Sequence, residues 1–231
     1  MQSNTLNSLH IRRFCESDQL DQYVPSAVQL IYEAAFSYFD LLFGGREEAL
    51  AELSHWTKRP SSEYSILRAT GVLQKEICLG IVIGIGGQER NRCHKADILA
   101  LLNSTPFRKL SASTPSIETL RDSLPPVPTD VYYIRTIAMA RDWRRCGLGK
   151  RLLQVAIENG GGAGYNRFRL DVRADNTAAT HLYAGFGFVP IGEAANPRGG
   201  WTMLAMQYEP RRMKIRSVDG SRETRDQLAG H

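Results

Sequence analysis

Arg144-Arg145-Cys146-Gly147-Leu148-Gly149-Lys150 carries the densest chemistry in this chain. A strand-like run, Val131 to Ala140, comes before it, and a helix-like run ending near Asn159 follows. The first N–H groups of a helix have no intrahelical partner, and the helix dipole adds partial positive charge there. Gly147 and Gly149 lack a Cβ, so an anion can approach the backbone closely. Arg144, Arg145, Lys150 and Arg151 add cationic donors. The stretch reads as a seat for a pyrophosphate. It is neither the dinucleotide fingerprint, for want of a third glycine, nor a P-loop, for want of Gly-Lys-Ser/Thr.

A second constellation lies downstream. A short strand run, Arg167 to Val172, leads to Asn176, Ala179 and Tyr183, whose i, i+3, i+7 spacing places them along one helix face. Asn176 stands where a side chain can cap the helix, and Tyr183 reads as a core aromatic or a phenol available for proton transfer. The helix ends at Gly185 or Gly187, and an aromatic run, Phe186 to Ile191, reads as another strand.

Arg144, Gly147 and Gly149, followed by Asn176, Ala179, Tyr183, Gly187 and Phe188, resemble the two signatures of the GNAT superfamily of acetyl-CoA-dependent N-acetyltransferases. The resemblance covers about Val131 to Pro190. It implies an α/β GNAT fold, a mixed sheet of six or seven strands flanked by helices and splayed between strands 4 and 5. It also implies acetyl-CoA as co-substrate, with no metal. Residues 144–150 (Arg144, Arg145, Cys146, Gly147, Leu148, Gly149, Lys150) would hold the pyrophosphate. The backbone of Ile137, Ala138 and Met139 would pair with the pantetheine arm, a Met139 N–H would polarise the thioester, and Asn176 would bond the pantetheine or stabilise the splay. Tyr183 would be the general acid.

The base is less legible. The fourth strand, Tyr132-Tyr133-Ile134-Arg135-Thr136-Ile137-Ala138-Met139, has no carboxylate where many family members carry a Glu. Asp171 on the next strand is one substitute, and an acid of the N-terminal half is another. Arg135 and Tyr133, two apart, share a strand face, where Arg135 could bind a carboxylate or phosphate of the substrate or simply be a charge on a solvated or paired face. The missing carboxylate also motivates an alternative, a CoA-binding regulatory or scaffold protein without turnover.

The rest of the chain must position these residues. Its 231 residues suffice for one domain with a real core, expected over 1–210, before a basic tail. Arg211 to His231 supplies +3 of the net +5, which reads as a solvated tail, so a nucleic-acid partner is not expected. No apolar run approaches the roughly 20 residues of a membrane span, and Met1 to His10 is polar, so the expectation is a cytoplasmic protein. The four cysteines are irregularly spaced and read as free thiols, with no metal site.

His10 to Phe14 reads as a first strand, and Asp18 to Phe43 as one or two helices interrupted at Pro25. Arg46 to Trp56 reads as a further helix, and Tyr64 to Leu73 with Ile77 to Gly86 as a strand pair. Gln88 to Asp130 is an insertion, with short helices expected near Asp97 to Leu102 and Ser116 to Leu124. It would be a tolerated surface loop, a wall or lid for the acceptor site, or the contact of a homodimer. The expected partner is an amine-bearing acceptor, a small molecule or a protein.

Overall fold

Strand β3 (Ile77–Gly86) is an almost unbroken run of Ile, Val and Gly, and a run apolar on both faces belongs in the middle of a sheet covered on both sides. It lies there in the computed structural model, which describes residues 9–104, 124–196 and 200–210. The seven strands are β1 (His10–Arg13), β2 (Ala69–Gln74), β3, β4 (Tyr132–Met139), β5 (Phe168–Arg173), β6 (Val189–Asn196) and β7 (Trp201–Tyr208). Their order is β1-β2-β3-β4-β5-β7-β6. Only β4 and β5 are parallel, as strands joined through a crossover helix must be when they lie side by side.

Helices α1 (Val24–Ala34), α2 (Phe36–Phe43) and α3 (Arg46–Lys58) cover one face. Their apolar residues, among them Ile31, Phe39 and Leu53, close over Ile81 and Ile83. Helices α5 (Leu148–Gly162) and α6 (Thr177–Gly185) cover the other, where Leu152, Leu153 and Tyr183 pack with Val82, Ile134 and Met139. Helix α4 (Gly87–Ser104) lies between β3 and β4 in sequence.

Three element boundaries differ from the sequence expectation. Pro25 sits in the first turn of α1, where a missing N–H costs nothing, and the break falls at Ala35 instead. Tyr64 to Arg68 is a loop with a 3-10 turn, so β2 begins at Ala69. The insertion's first helix starts at Gly87, ten residues before Asp97. The helix expected over 116–124 lies largely in residues 105–123, and the tail in 211–231, outside the described residues.

The β4–β5 ladder is short. Only Tyr132↔Phe168 and Tyr133↔Arg169 pair, beside a bond from the Tyr132 N–H to the Arg167 carbonyl at 2.8 Å. Beyond them β4 continues along β3 while β5 continues along β7, and the two strands part. At the parting point β4 carries a bulge: Gly84 faces Ile134 and Ile83 faces Thr136, leaving Arg135 as the extra residue.

Candidate active site

The backbone of β4 past the bulge is the first component of the site. The Ala140 N–H donates to the Leu79 carbonyl of β3 at 2.8 Å. Strand groups alternate in direction, so the N–H and C=O of Met139, and of Ile137 two residues earlier, point away from β3 into the gap beside β5, while Ala138 faces β3. Arg144 Nε donates to the Met139 carbonyl at 2.9 Å. The free edge ends at the 144–150 loop.

That loop is held open. Arg145 (φ 63) and Gly147 (φ 84) are both left-handed. The conformation is costless for glycine and costs a residue such as arginine on the order of 1 kcal/mol. A Cβ on Gly147 would meet nothing within 4 Å, so the glycine is required by its φ and not by crowding inside the protein. Gly147 is the N-cap of α5 and brings no side-chain cap. The first intrahelical bond runs from the Arg151 N–H to the Gly147 carbonyl. The N–H groups of Leu148, Gly149 and Lys150 therefore have no intrahelical acceptor. Arg145, Cys146, Gly147 and Lys150 are exposed. The Cys146 thiol donates to the Trp143 carbonyl at 2.9 Å. Arg144 also reaches Glu33 of α1 at 3.4 Å, and with Tyr32, Phe36, Arg46 and Arg141 these residues line a cleft of about 350 Å³ beside the loop.

Asn176 is the N-cap of α6: its Oδ1 accepts from the Ala179 N–H at 3.2 Å. Tyr183, 8% exposed, lies on the inner face of α6 with its ring 6.1 Å from that of Phe188. Burial pushes its phenol up to about 12. The hydroxyl is therefore protonated throughout the neutral range. Full transfer of its proton to a free thiolate would be uphill by about 5 kcal/mol against a thiol near ~8.5.

The other end of the cleft, at the bulge, is dense in charge. Asp171 is committed: it accepts from the Tyr133 hydroxyl at 2.8 Å and from the Arg169 guanidinium at 3.1 Å. Arg169 is 1% exposed and also donates to the carbonyls of Pro125 and Pro126. This chain of bonds ties β4, β5 and the end of the insertion together where the strands diverge. Burial, then the Asp171 charge, pushes the Tyr133 phenol far up, so it stays a donor.

Sequence reasoning did not identify Glu63. It is 2% exposed, in the loop before β2. Its carboxylate meets His94 Nδ1 at 2.7 Å, Arg135 Nε at 3.3 Å and Arg90 Nε at 3.5 Å. Burial alone would push this carboxyl up; the His94 bond and the charges of Arg135 and Arg90 outweigh it and hold the group below its usual range. The Arg135 guanidinium lies 4.4 Å above the Tyr64 ring and that of Arg90 4.7 Å above Tyr133. Arg135 and Tyr133 thus occupy one side of β4, facing Glu63 and α4.

Helix α4 makes this arrangement. Arg90, His94 and Asp97 recur at i, i+4, i+7 and so share a face. Asp97 pairs with Arg59 and accepts from the Ser62 hydroxyl at 3.2 Å and the Glu63 N–H at 2.9 Å. The insertion's helix thus sets its charged face against the 59–65 loop and the bulge of β4. Sequence gave one clue, the 90/94/97 spacing, which by composition reads as a solvated face.

Among the described residues no group of three or more His, Cys, Asp or Glu could hold a metal, and no helix is long and apolar enough to cross a membrane.

Known proteins match this chain in part. The model of the acetyltransferase (GNAT) family matches residues 40–188. No curated protein matches in sequence. An N-acetyltransferase from Staphylococcus aureus Mu50 is similar at 18% identity and TM-score 0.63, over 86% of this chain and all of that one. A crystal structure described only as an acetyltransferase is similar at 21% identity and TM-score 0.59, over 87% and 98%. An agmatine N-acetyltransferase in its apo form is similar at 15% identity and TM-score 0.54, over 87% and 99%. At these identities the structures establish a shared fold.

Proposed function

Because the chain belongs to the GNAT acetyltransferase family, we propose that it is an N-acetyltransferase that moves an acetyl group from acetyl-CoA to a primary amine by direct attack. The observation that carries this reading is the gap between β4 and β5, which opens at Arg135 and ends at the uncapped N-terminus of α5. Acetyl-CoA supplies an activated thioester.

The residues divide the work by position. The N–H groups of Leu148, Gly149 and Lys150, with Arg145 and Lys150 side chains in reach of solvent, suit a pyrophosphate. Arg144, half exposed, donates to the Met139 carbonyl and pairs with Glu33, so its part is to fix the loop against the strand end. The Ile137 and Met139 N–H groups face the gap and can pair with an extended amide-bearing arm as an added strand does. One such donor aimed at a thioester oxygen is worth roughly 2.7–4 kcal/mol in acyl transfer. Asn176 acts through its cap, which sets the start of the helix carrying Tyr183. Tyr183 donates its proton as the C–S bond breaks; its high pKa favours transfer concerted with bond cleavage over transfer to a finished thiolate.

The amine must lose its proton. Asp171 is held by Arg169 and Tyr133, which leaves it poorly placed to accept another. Glu63, the carboxylate facing the bulge, is ionised but likewise held, by His94, Arg135 and Arg90, so the amine is taken to arrive neutral from solvent.

The test is turnover: free thiol released from acetyl-CoA with a panel of amines, for wild type and Tyr183→Phe. We expect a loss of more than about tenfold in kcat in the variant, with acetyl-CoA affinity retained. Equal turnover would remove Tyr183 from the mechanism. Acetyl-CoA binding with no turnover on any amine would favour the regulatory reading.

A further inference from the structure

We infer that the acceptor amine also carries a carboxylate, which the guanidinium groups of Arg135 and Arg90 receive beside the bulge of β4. This deepens the acetyltransferase reading and rests on it. Arg90 and Arg135 bring two fixed positive charges, and both converge on the same Glu63 oxygen, Oε2. The neighbouring carboxylates are taken: Asp97 by Arg59, and Asp171 by Arg169. His94, on the other Glu63 oxygen, adds no negative charge. Among the described residues, two guanidinium groups thus share one carboxylate.

The side chains of Arg90 and Arg135 are 17% and 21% exposed, and an unmatched charge at that depth is costly. Each meets Glu63 through Nε at salt-bridge distance, and neither Nε makes a hydrogen bond. Beyond Glu63, Arg90 lies over the Tyr133 ring and Arg135 over the Tyr64 ring, contacts that orient a guanidinium and leave its in-plane N–H donors usable, and Arg135 also reaches the Tyr38 hydroxyl. A planar fork with spare donors matches a carboxylate. Tyr64 points the same way. It is 3% exposed and its hydroxyl has no hydrogen-bond partner, a second polar group beside Arg135 awaiting one.

The location fits the reaction. Arg135 is the bulge residue, at the point where β4 leaves β5, so a carboxylate there places an amine a few bonds away at the apex of the gap. The same excess of positive charge disfavours acceptors bearing a second ammonium group.

The experiment compares matched acceptors, β-alanine with β-alaninamide and 4-aminobutanoate with 4-aminobutanamide, by thiol release from acetyl-CoA. The expected kcat/KM favours the carboxylate by at least about tenfold in a pair, the scale of a charge-assisted hydrogen bond. Arg135→Gln should erase that preference while acetyl-CoA affinity stays within about twofold, and Arg135→Lys should restore part of it. Arg90→Gln is the second variant, should Arg135→Gln fail to fold. Amides used as well as their acids, or a preference that survives both glutamine variants, would overturn the inference. Should no amine turn over, the acetyltransferase reading falls. The carboxylate site is then decided by calorimetry of the same pairs on the CoA-saturated protein, where equal heats for acid and amide overturn it.

Discussion

At the Met139 end of the gap between β4 and β5, the groups the proposed function gives to the cofactor are backbone N–H groups and surface cations within a dozen consecutive residues. At the Arg135 end the groups are buried side chains from the 59–65 loop, α4 and β4, segments far apart in sequence. The first end is open and uncapped, and it is made by one glycine's φ and a helix start. The second is closed and ion-paired, and it depends on α4 being in place. The difference follows from the two ligands each end suits. A pyrophosphate is large, anionic and common to many enzymes, and backbone suffices to hold it. An acceptor must be told apart from other amines, which takes side chains in a low-dielectric setting.

The largest way to break this contrast is at Glu63. Glu63→Gln leaves two mostly buried guanidinium groups without a counter-charge, and losing one partner of such a pair costs roughly 3–5 kcal/mol. Urea unfolding should show that loss, while acetyl-CoA affinity of the folded variant changes little. A large fall in affinity would mean the two ends are not separate. The same residue gives a pH signature. Its folded pKa lies below the ordinary value of 4.5, so its stabilisation is present above that value and lost as pH falls through the folded pKa. Wild type should weaken in that acidic window, and Glu63→Gln should weaken less.

A smaller effect is expected at Asn176. Asn176→Ala removes the cap of α6 and should cost about 1 kcal/mol of stability. A loss of acetyl-CoA affinity greater than about tenfold on top of it would show that Asn176 also touches the ligand, and would sharpen the cofactor end. The mildest probe is thiol labelling. Cys15 and Cys146 are exposed, whereas Cys78 and Cys93 are buried and burial pushes the Cys78 thiol up to about 12. Two thiols should react fast, and acetyl-CoA should protect Cys146 while leaving Cys15 reactive. Protection of neither would move the cofactor off the loop.

The sequence was most informative where chemistry is contiguous. The alternating and helical runs gave β3, α3 and α5 nearly in place, and the 144–150 loop announced itself because its glycines and cations are adjacent. Glu63 could not be picked out: one acid among the chain's 24 acidic residues acquires its role only when Arg90, His94 and Arg135 arrive from elsewhere. The face of α4 was missed for a related reason: the helix was expected only from about Asp97, so Arg90 and His94 were not placed on one face with it, and their partners lie on the distant 59–65 loop. The bulge at Arg135 has no local signal either, since it is set by the register against β3.

The most direct measurement is a calorimetric titration of acetyl-CoA into wild type, Gly147→Asn and Gly147→Glu. Asparagine tolerates the left-handed φ of this position, so its variant controls for backbone strain, while the glutamate sets a negative charge where the phosphates should sit. Micromolar binding retained with Asn and lost by more than about a hundredfold with Glu is the predicted result. Binding to Gly147→Glu as tight as to wild type would contradict the assignment of the α5 N-terminus as the cofactor seat.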